Sequence, residues 1–284
     1  MPRRSIIFLG TAASAPNKYR FTQSIVICGA KECILLDAGE GVQVRLLSAG
    51  IDHRHVNLVA ISHLHGDHIH GLPPLVETLE MKISTQKMPS RYLLKIVAPA
   101  TYCRLLHMLF DITKASENNK NLDILCMDAG NLCSTNIYVE TPSKEIRVLP
   151  IRVYHGPLEA YGYYVDLSVS EKNIGIFYSG DGLCKDNCVE KLKTLKPAIV
   201  IHEATFLDYD GDAAKARESG HATLMDAAKL ALEVGARVLI LTHISARYDR
   251  NAQRDFLSRS RRIFEGDIFI AEDLAKIPLD LLSV

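Results

Sequence analysis

The amino-acid sequence predicts one α/β domain that spans residues 1–284. Short apolar runs rich in β-branched residues alternate with helix-like runs along the chain, which is typical of a mixed sheet system covered by helices. No Pro/Gly/Ser-rich linker and no shift in composition divides the chain. Since 284 residues can bury one large core, we expect a single domain.

The predicted strands are runs of four to eight residues rich in Val, Ile and Leu. They lie at 5–9, 24–28, 32–36, 58–61, 93–97, 146–153, 161–167, 174–178, 198–201, 237–241 and 267–270. The predicted helices lie at 40–49, 101–112, 224–234 and 251–264. Gly50 and Gly235 follow the first and third of these helices and are typical C-terminal caps.

The composition is that of an ordinary soluble globular protein. Hydrophobic residues make up 48% and charged residues 23% of the chain, and with a formal net charge of zero no global basic field indicates nucleic acid. No apolar run reaches the roughly 18 to 20 residues that a membrane helix needs. The N-terminal segment lacks the apolar stretch of a signal peptide. We therefore expect a cytoplasmic protein without membrane contact.

The seven cysteines form an odd set without the spacing of a zinc ribbon. Cys184 and Cys188 are close in sequence, but this spacing alone is weak support for a disulfide or a metal site. We therefore expect a reducing cytosol, with most thiols buried as small apolar side chains.

The segment from Ser62 to Gly71 carries the strongest functional signal. Directly after the apolar run at 58–61, six consecutive positions contain four candidate metal ligands, namely His63, His65, Asp67 and His68. A loop at the C-terminal end of a buried strand is where α/β sheets bind ligands. Imidazole nitrogens suit zinc and similar transition metals. Because four side chains at this spacing cannot surround one tetrahedral ion without strain, we expect two ions.

Three further candidate ligands each follow an apolar strand: His155, Asp181 and His243. Gly180 and Gly182 flank Asp181, and glycines allow a close approach of metal ions. One ion is assigned to His63, His65 and His155, the other to Asp67, His68 and His243, and Asp181 is placed between them. Two ions about 3.5–4 Å apart can share a hydroxide and stabilise the charge of an in-line attack on phosphorus, so phosphodiester hydrolysis suits the site best. A carboxylic ester or a lactam is also within its reach.

Two more residues fit a catalytic role. Glu203 follows the predicted strand at 198–201, and His221 lies where a helix is expected to open. A histidine at a helix start needs an acid to hold a proton. Glu203 would supply that acid and keep His221 ready to protonate a leaving alkoxide.

Several motifs in chain order resemble the metallo-β-lactamase superfamily and, within it, the ribonuclease Z family, whose members trim the 3′ trailer from precursor tRNA. The likeness covers nearly the whole chain, from about residue 6 to residue 271. The motifs are His63-Leu64-His65-Gly66-Asp67-His68, Asp37-Ala38-Gly39-Glu40-Gly41-Val42-Gln43, Ser179-Gly180-Asp181, His202-Glu203-Ala204-Thr205, Gly220-His221-Ala222-Thr223 and Thr242-His243-Ile244-Ser245-Ala246-Arg247-Tyr248.

The resemblance implies an αββα sandwich, two zinc ions per subunit and a homodimer that acts on precursor tRNA. It also implies that Asp67, Glu203 and His221 form a proton-transfer group, so that Asp67 would serve both metal and acid. Manganese and iron also accept His/Asp sites of this kind.

Members of the family often carry a Pro-x-Lys-x-Arg-Asn loop that handles the tRNA 3′ end. The segment Pro16-Asn17-Lys18-Tyr19-Arg20-Phe21 keeps Pro16, Lys18 and Arg20 but has Phe in place of Asn. We expect Lys18 and Arg20 to contact phosphate. The departure at Phe21 leaves open how the 3′ end is discriminated.

A larger departure follows Tyr164. Typical members carry a long basic arm there that grips the tRNA elbow, whereas only residues 166–173 separate two predicted strands in this chain. Either another surface holds tRNA or the substrate is smaller. A set of arginines beside His243 could offer that surface, or could be an exposed helix face balanced by Asp249 and Asp255. These arginines are Arg247, Arg250, Arg254, Arg259, Arg261 and Arg262.

Three functions follow from these features. The first is a zinc-dependent endonuclease that removes the 3′ trailer from precursor tRNA. The second is a related hydrolase of a small phosphodiester or ester, which the missing arm favours. The third is a metal-binding interaction protein without catalysis, which would not need the proton donor that Glu203 and His221 provide.

Overall fold

Two seven-stranded sheets face each other in the computed structural model, which describes residues 4–85, 91–113, 121–169, 172–209 and 211–281. Helices cover the outer face of each sheet. An apolar cluster packs each sheet against its own helices. A third cluster fills the space between the sheets. This arrangement is the αββα sandwich, and the predicted fold class is confirmed.

The first sheet is built mainly from the N-terminal half of the chain, in the order β14-β1-β2-β3-β4-β5-β6. Strands β3 to β6 run parallel to one another, while β1 pairs antiparallel with both β2 and β14. The strands are β1 (Ser5–Gly10), β2 (Ser24–Cys28), β3 (Cys33–Leu36), β4 (Val56–Ala60), β5 (Tyr92–Ala98), β6 (Leu122–Asp128) and β14 (Lys276–Pro278).

The second sheet has the order β13-β12-β11-β10-β9-β8-β7. Strands β10 to β13 are parallel, and β7 to β10 form an antiparallel meander. The strands are β7 (Val139–Glu140), β8 (Ile146–Arg152), β9 (Tyr161–Val169), β10 (Lys172–Tyr178), β11 (Ile199–Glu203), β12 (Val238–Thr242) and β13 (Asp267–Ile270).

The helices of the described residues pack on the outer faces or connect the strands. The first group, which precedes β7, comprises α1 (Val42–Ser48), α2 (Gly66–Ile69), α3 (Leu72–Thr85), α4 (Ala100–Thr113) and α5 (Ala129–Thr135). The second comprises α6 (Asp186–Leu195), α7 (Asp212–Ser219), α8 (Leu224–Glu233) and α9 (Arg250–Ser260). Each predicted strand and helix is present within a few residues of its expected bounds.

Elements that the sequence pattern did not reveal are short, partly exposed or polar. Strand β6 is only partly buried along most of its length, so its apolar residues do not form a continuous run. Strands β7 and β14 span two and three residues, which is too short for a periodic signal. Helix α7 buries only Asp212 and Ala216, so it lacks an apolar stripe.

The core places the ends of several strands along one edge of the sandwich. Strands β4, β8, β10 and β12 each run directly into a loop that carries predicted metal ligands. These strands are almost wholly buried, so each loop begins from a fixed point. Among the described residues, no helix combines the length and apolar character that crossing a membrane requires.

The expectation of reduced cysteines is wrong for six of the seven, which are paired as disulfides. Strand pairing places Cys28 directly opposite Cys33, while helix α4 brings Cys103 to 5.5 Å (Cα–Cα) from Cys126 on β6. Sequence spacing could not reveal these contacts because they arise from the packing of separate elements. The pairs are Cys28–Cys33, Cys103–Cys126 and Cys184–Cys188, and Cys133 is free.

Candidate metal centre

The predicted metal ligands converge on two overlapping positions at the edge of the sandwich. One group consists of His63, His65, His155 and Asp181, and the other of Asp67, His68, Asp181 and His243. Within each group, the candidate ligand atoms all lie within 4.8 Å of one another. Asp181 belongs to both groups, which is the position that a bridging carboxylate requires.

In the first group, ring nitrogens of three histidines lie close together. His65 Nδ1 lies 2.9 Å from His63 Nε2 and 3.3 Å from His155 Nε2. Asp181 Oδ2 lies 3.7 Å from His63 Nε2. Three imidazole nitrogens and one carboxylate oxygen that point at a common centre form a donor set typical of zinc and related metals.

The second group is organised around two carboxylates. Asp181 Oδ2 lies 3.2 Å from His68 Nε2 and 3.1 Å from His243 Nε2. Asp67 Oδ2 lies 3.5 Å and 3.3 Å from the same two nitrogen atoms. The two acids therefore enclose the two imidazoles, and a cation between them would be held by both.

Four of the five histidines hold Nδ1 against an oxygen atom, which leaves the lone pair of Nε2 for the centre. The pairs are His63 with Ser62 Oγ at 3.0 Å, His68 with Asp37 Oδ2 at 2.7 Å, His155 with Gly220 O at 2.9 Å and His243 with Thr205 Oγ1 at 2.8 Å. Carbonyl and carboxylate oxygens only accept, so Nδ1–H donates to them. Such partners fix the tautomer and the orientation of a ligating histidine.

Two atoms at the centre test whether these residues fit a metal. His68 Nε2 and Asp181 Oδ1 are buried and make no hydrogen bond within the described part of the chain. A buried polar atom without a partner costs about 1–3 kcal/mol. Metal ions that take these atoms as ligands would remove that cost, so the residues present fit a metal.

Asp37 organises the floor of the site, a role that sequence reasoning missed. Its buried carboxylate accepts hydrogen bonds from Ser62 N at 2.7 Å, Ser62 Oγ at 2.8 Å, His68 Nδ1 at 2.7 Å and Tyr178 OH at 2.6 Å. The available signal was Asp-Ala-Gly directly after an apolar strand. The donors, however, come from two distant parts of the chain, the segment from Ser62 to His68 and Tyr178, so only the fold reveals this role.

The backbone around the site adopts conformations that most residues avoid. Asp37 and His243 have φ angles of 57° and 54°, in the left-handed region. Gly180, next to Asp181, has φ 57°, and a Cβ atom there would lie 2.7 Å from Ser62 Cβ. Strained positions of this kind persist where the surrounding fold holds them, and they concentrate at functional sites.

His63 and Asp67 have charge states that suit a cation. Burial lowers the pKa of His63 well below its usual value, and the neighbouring His68 lowers it further, which favours the neutral ring that a metal needs. Burial alone would raise the pKa of Asp67, but close contacts with His243 and His68 hold it well below its usual range. Asp67 is therefore an anion at neutral pH.

Glu203 and His221 form an ion pair beside the ligands. His221 Nδ1 lies 3.1 Å from Glu203 Oε1. The carboxylate of Glu203 also accepts hydrogen bonds from Ala222 N at 2.7 Å and Thr205 N at 3.0 Å, which fix its orientation. Glu203 is fully buried, whereas His221 keeps some exposure. His221 lies just before helix α8, which begins at Leu224 with Thr223 as its N-cap.

The pair keeps a proton on His221. Burial by itself would lower the pKa of His221, but the charge and hydrogen bond of Glu203 raise it to about 9. His221 is therefore protonated at neutral pH. Asp67 Oδ2 accepts a hydrogen bond from Ser14 N and lies 3.3 Å from His243 Nε2. The ligand atoms of His243, Glu203 and His221 lie within 4.8 Å of one another, so His243 adjoins both Asp67 and the Glu203–His221 pair.

The residues predicted to contact substrate differ in exposure and in their contacts within the protein. Lys18 is exposed, and its Nζ lies 4.7 Å from the centroid of the Tyr19 ring. Arg20 binds within the protein, since its guanidinium donates to Thr11 Oγ1 at 2.5 Å and to Ala271 O at 2.7 Å. Arg247 is exposed, and its guanidinium lies 4.8 Å from the centroid of the Phe206 ring. The phosphate contact assigned to Arg20 stays a prediction.

The hairpin after Tyr164 leaves no room for an arm. Strands β9 and β10 are paired up to Val169 opposite Lys172, so only residues 170 and 171 separate them, and these lie outside the described residues. In α9 and the turn that follows it, Arg254, Arg259, Arg261 and Arg262 are exposed. The side chain of Arg250, which also belongs to the predicted arginine surface, and that of Asp255, one of the two acids named as balancing it, lie outside the described residues.

The remaining histidines near the site have separate positions. His202 is buried, and its Nδ1–H donates to the carbonyl of Glu203 at 2.7 Å. His53 is buried and binds the carbonyl of Gln43 at 2.7 Å, so it has a structural role. His70 is exposed and lines a cavity of about 360 Å³ beside His65 and Asp67.

Known proteins are similar in sequence to this chain over nearly its whole length. The family described as "Anti-Pycsar protein Apyc1" matches residues 4–261. A protein named ribonuclease Z from Methanococcus maripaludis (strain C5) is 30% identical over 313 aligned positions, which cover 96% of this chain and 97% of that protein.

Solved structures share its fold. The crystal structure of human tRNase Z, short form, has a TM-score of 0.72 and 26% identity, and the match covers 96% of this chain and 98% of that one. The metallo-β-lactamase fold protein YhfI from Bacillus subtilis has a TM-score of 0.75 at 18% identity, covering 97% and 99% of the two chains. The chain is therefore a metal-dependent hydrolase with the metallo-β-lactamase fold, and it belongs to the ribonuclease Z family and, over residues 4–261, to the family of Apyc1.

Proposed function

We propose that this protein is an endonuclease that removes the 3′ trailer from precursor tRNA by metal-dependent hydrolysis of a phosphodiester. The observation that carries the proposal is the pairing of the seven-residue ligand cluster with a charged His221 held by a buried glutamate. The relatives named ribonuclease Z and tRNase Z support the choice of RNA as the substrate.

Seven residues would hold the metal. His63, His65 and His155 would bind one ion, Asp67, His68 and His243 the other, and Asp181 would bridge them. Bound ions would supply an activated water and neutralise the charge on the phosphoryl group. The protein's own part is to orient the ligating nitrogens and fix their tautomers, which the Nδ1 contacts to Asp37, Ser62, Gly220 and Thr205 do.

His221 would act as the general acid. Its Nδ1 is engaged by Glu203, so Nε2–H is the group that can donate a proton to the leaving oxygen. Glu203 positions the ring and stabilises its charge, and its three hydrogen bonds keep it from rotating away. His243 contacts Asp67 and adjoins the Glu203–His221 pair, so Asp67 would act on His221 through His243.

The finer features of the proposal concern the metal, the assembly and the compartment. Zinc fits the His/Asp donors, and manganese or iron would fit as well. The assembly that we propose is a homodimer of a single-domain chain. A cytoplasmic location follows from a tRNA substrate, although the three disulfides remove the support that reduced thiols would have given.

Without an arm, the body of tRNA would need another surface. The exposed arginines of α9 and the turn after it, together with Arg247 beside His243, form the basic surface that we assign to this role. The guanidinium groups would contact backbone phosphates, so binding should weaken steeply with salt. Lys18 and Arg20 would contact the 3′ end.

A second function is favoured by one observation, the two-residue connection between β9 and β10. The alignment with the Methanococcus protein runs over 313 positions, more than the 284 residues of this chain, so that relative carries inserted segments. A chain without these segments has less surface to hold a folded RNA, which favours a small phosphodiester or ester as the substrate of this second function. A purely metal-binding role would leave the charged Glu203–His221 pair without a use.

The proposal is tested by incubating the purified, zinc-loaded protein with a precursor tRNA that carries a 3′ trailer, and with bis(p-nitrophenyl) phosphate. We expect a single cut that releases the trailer, loss of that cut in EDTA and its return when zinc is restored. Turnover of the small ester without any cleavage of the precursor would replace the first function with the second. Turnover of neither substrate would refute both.

A further inference from the structure

A cavity of about 350 Å³ adjoins the metal centre on the side of His155. The segment from Val153 to Leu158 forms one wall, and the start of helix α6, from Lys185 to Cys188, forms the other. The size lies at the lower end of the range for small-molecule sites, which suits a single nucleotide rather than a folded RNA. Neither the metal centre nor the proton donor requires this cavity.

The walls of the cavity are continuous with the loops that carry the ligands. Tyr154 and Leu183 exchange two backbone hydrogen bonds of 2.9 Å, which tie the segment before His155 to the loop after Asp181. A strand of substrate that leaves the metal centre on this side would therefore pass directly into the cavity.

The cavity also lies on the side of the proton donor. Gly156 in its wall packs so closely against Gly220, the neighbour of His221, that a Cβ on Gly220 would lie 2.3 Å from Gly156 N. His221 and His155 are in ring contact, with centroids 4.8 Å apart. Because the proton donor faces the leaving oxygen, the cavity corresponds to the leaving-group side of the cleaved bond.

The lining of the cavity combines an aromatic ring with two cations. The Lys185 Nζ lies 3.2 Å from the centroid of the Tyr154 ring, and the exposed Arg152 lies at the rim. Asp186 is the acid in this lining. A base can stack on an aromatic ring while cations bind the adjoining phosphate, which is how proteins hold single strands without reading sequence.

The cavity on the other side of the centre has a different character. It is lined by Ser14, Pro16, Glu40, His70 and the ligands His65 and Asp67, with acids and histidines but neither Lys nor Arg. Of these two cavities, only the one over Tyr154 offers permanent positive charge to an anion. This difference in charge favours the cavity over Tyr154 as the one that binds a phosphate of the substrate strand.

We propose that the cavity over Tyr154 is a subsite for the nucleotide on the leaving-group side of the cleaved phosphodiester. The base stacks on Tyr154 and displaces Lys185 from the ring, and Lys185 and Arg152 bind the next phosphate of the strand. The proposal rests on the proposed phosphodiesterase function, because it assigns the leaving group of that reaction.

The test measures binding and turnover separately. Binding uses the zinc-free protein and a fluorescein-labelled RNA hexanucleotide, followed by fluorescence anisotropy, and turnover uses bis(p-nitrophenyl) phosphate with zinc. We expect the double variant Arg152→Ala/Lys185→Ala to bind the RNA at least about 10-fold more weakly, because two charge-assisted contacts are lost. Turnover of the small ester, which carries no further phosphate, should stay within about 2-fold of wild type.

The matched control is Arg104→Ala/Lys31→Ala, which removes two exposed cations away from the cavity and should leave RNA binding unchanged. For the ring, Tyr154→Leu should weaken binding by about 10-fold, while Tyr154→Phe keeps the stacking face and should not. Equal RNA binding by wild type and the Arg152→Ala/Lys185→Ala variant, or no binding by wild type, would overturn the subsite. If the wild type does not turn over the ester, the proposed function is overturned instead. The binding assay is unaffected because it needs no catalysis.

Discussion

The metal centre and the surface around it differ in how firmly the fold holds their side chains. Most of the ligands are buried, and most are oriented by an oxygen acceptor behind them. By contrast, Lys18 and Arg247 are exposed and contact mainly neighbouring aromatic rings. The residues proposed for hydrolysis are thus held by the core, whereas most of those proposed for substrate contact lie exposed on the surface.

The largest effect is expected from the carboxylate that both ligand groups share. Asp181→Asn keeps the size of the side chain but removes its charge, so one buried anion no longer balances two cations. We expect at least a 10³-fold loss of turnover on bis(p-nitrophenyl) phosphate, with less metal retained after dialysis. Asp111→Asn, at an exposed position on α4, is the control. Full activity of Asp181→Asn would contradict a shared carboxylate.

The next effect separates proton transfer from metal binding. His221→Ala should slow cleavage of the precursor tRNA by roughly 10²-fold or more while the metal content stays intact, because only the proton donor to the leaving alkoxide is removed. Turnover rates and elemental analysis of the same preparation provide the measurement. Unchanged turnover would show that His221 has no catalytic part.

The pH profile tests how Glu203 supports His221. A donor with a pKa of about 9 is protonated below that value, so activity should fall on the alkaline side as His221 loses its proton. In Glu203→Gln the charge that raises the pKa is gone while burial remains, so the alkaline limb should move down by about 1–3 pH units. An alkaline limb at the same pH in both proteins would show that the pair does not set the profile.

A smaller effect is expected from the partner behind a ligand. Asp37→Asn keeps the shape but weakens the hold on His68, and outer partners of this kind are worth about 10–100-fold in metal affinity. Competition with a zinc chelator provides the affinity. Because Asp37 also accepts from Tyr178, Tyr178→Phe is the comparison that removes a hydrogen bond without touching a ligand. Equal zinc affinity of Asp37→Asn and wild type would exclude this role.

The smallest effect concerns stability outside the site. Burial alone would raise the pKa of Asp226, but Arg217 and Thr223 hold it below the usual value, so the group is an anion when folded. Its contribution is complete above the unfolded pKa of about 4 and is lost as the pH falls through the lower folded value. Asp226→Ala should cost about 1 kcal/mol at pH 7 in urea unfolding, and less at pH 3. An equal cost at both pH values would exclude the ionic contribution.

The ligands could be predicted from sequence because each is close to an apolar run, and parallel strands end at a common edge of a sheet. The assignment of His155 and His243 rested on that reasoning, and the fold brings both to the cluster. What could not be predicted depends on contacts between distant segments. The four hydrogen bonds of Asp37, the internal partners of Arg20 and the position of His243 beside Asp67 and His221 all arise from packing.

The buried cluster of His63, His65, Asp67, His68, His155, Asp181 and His243 is expected to hold two metal ions. The most direct measurement is elemental analysis of the purified protein after loading with zinc and removal of excess metal. Two ions per chain are predicted for the wild type. One ion or none per chain, in protein that is folded, would contradict a two-metal centre.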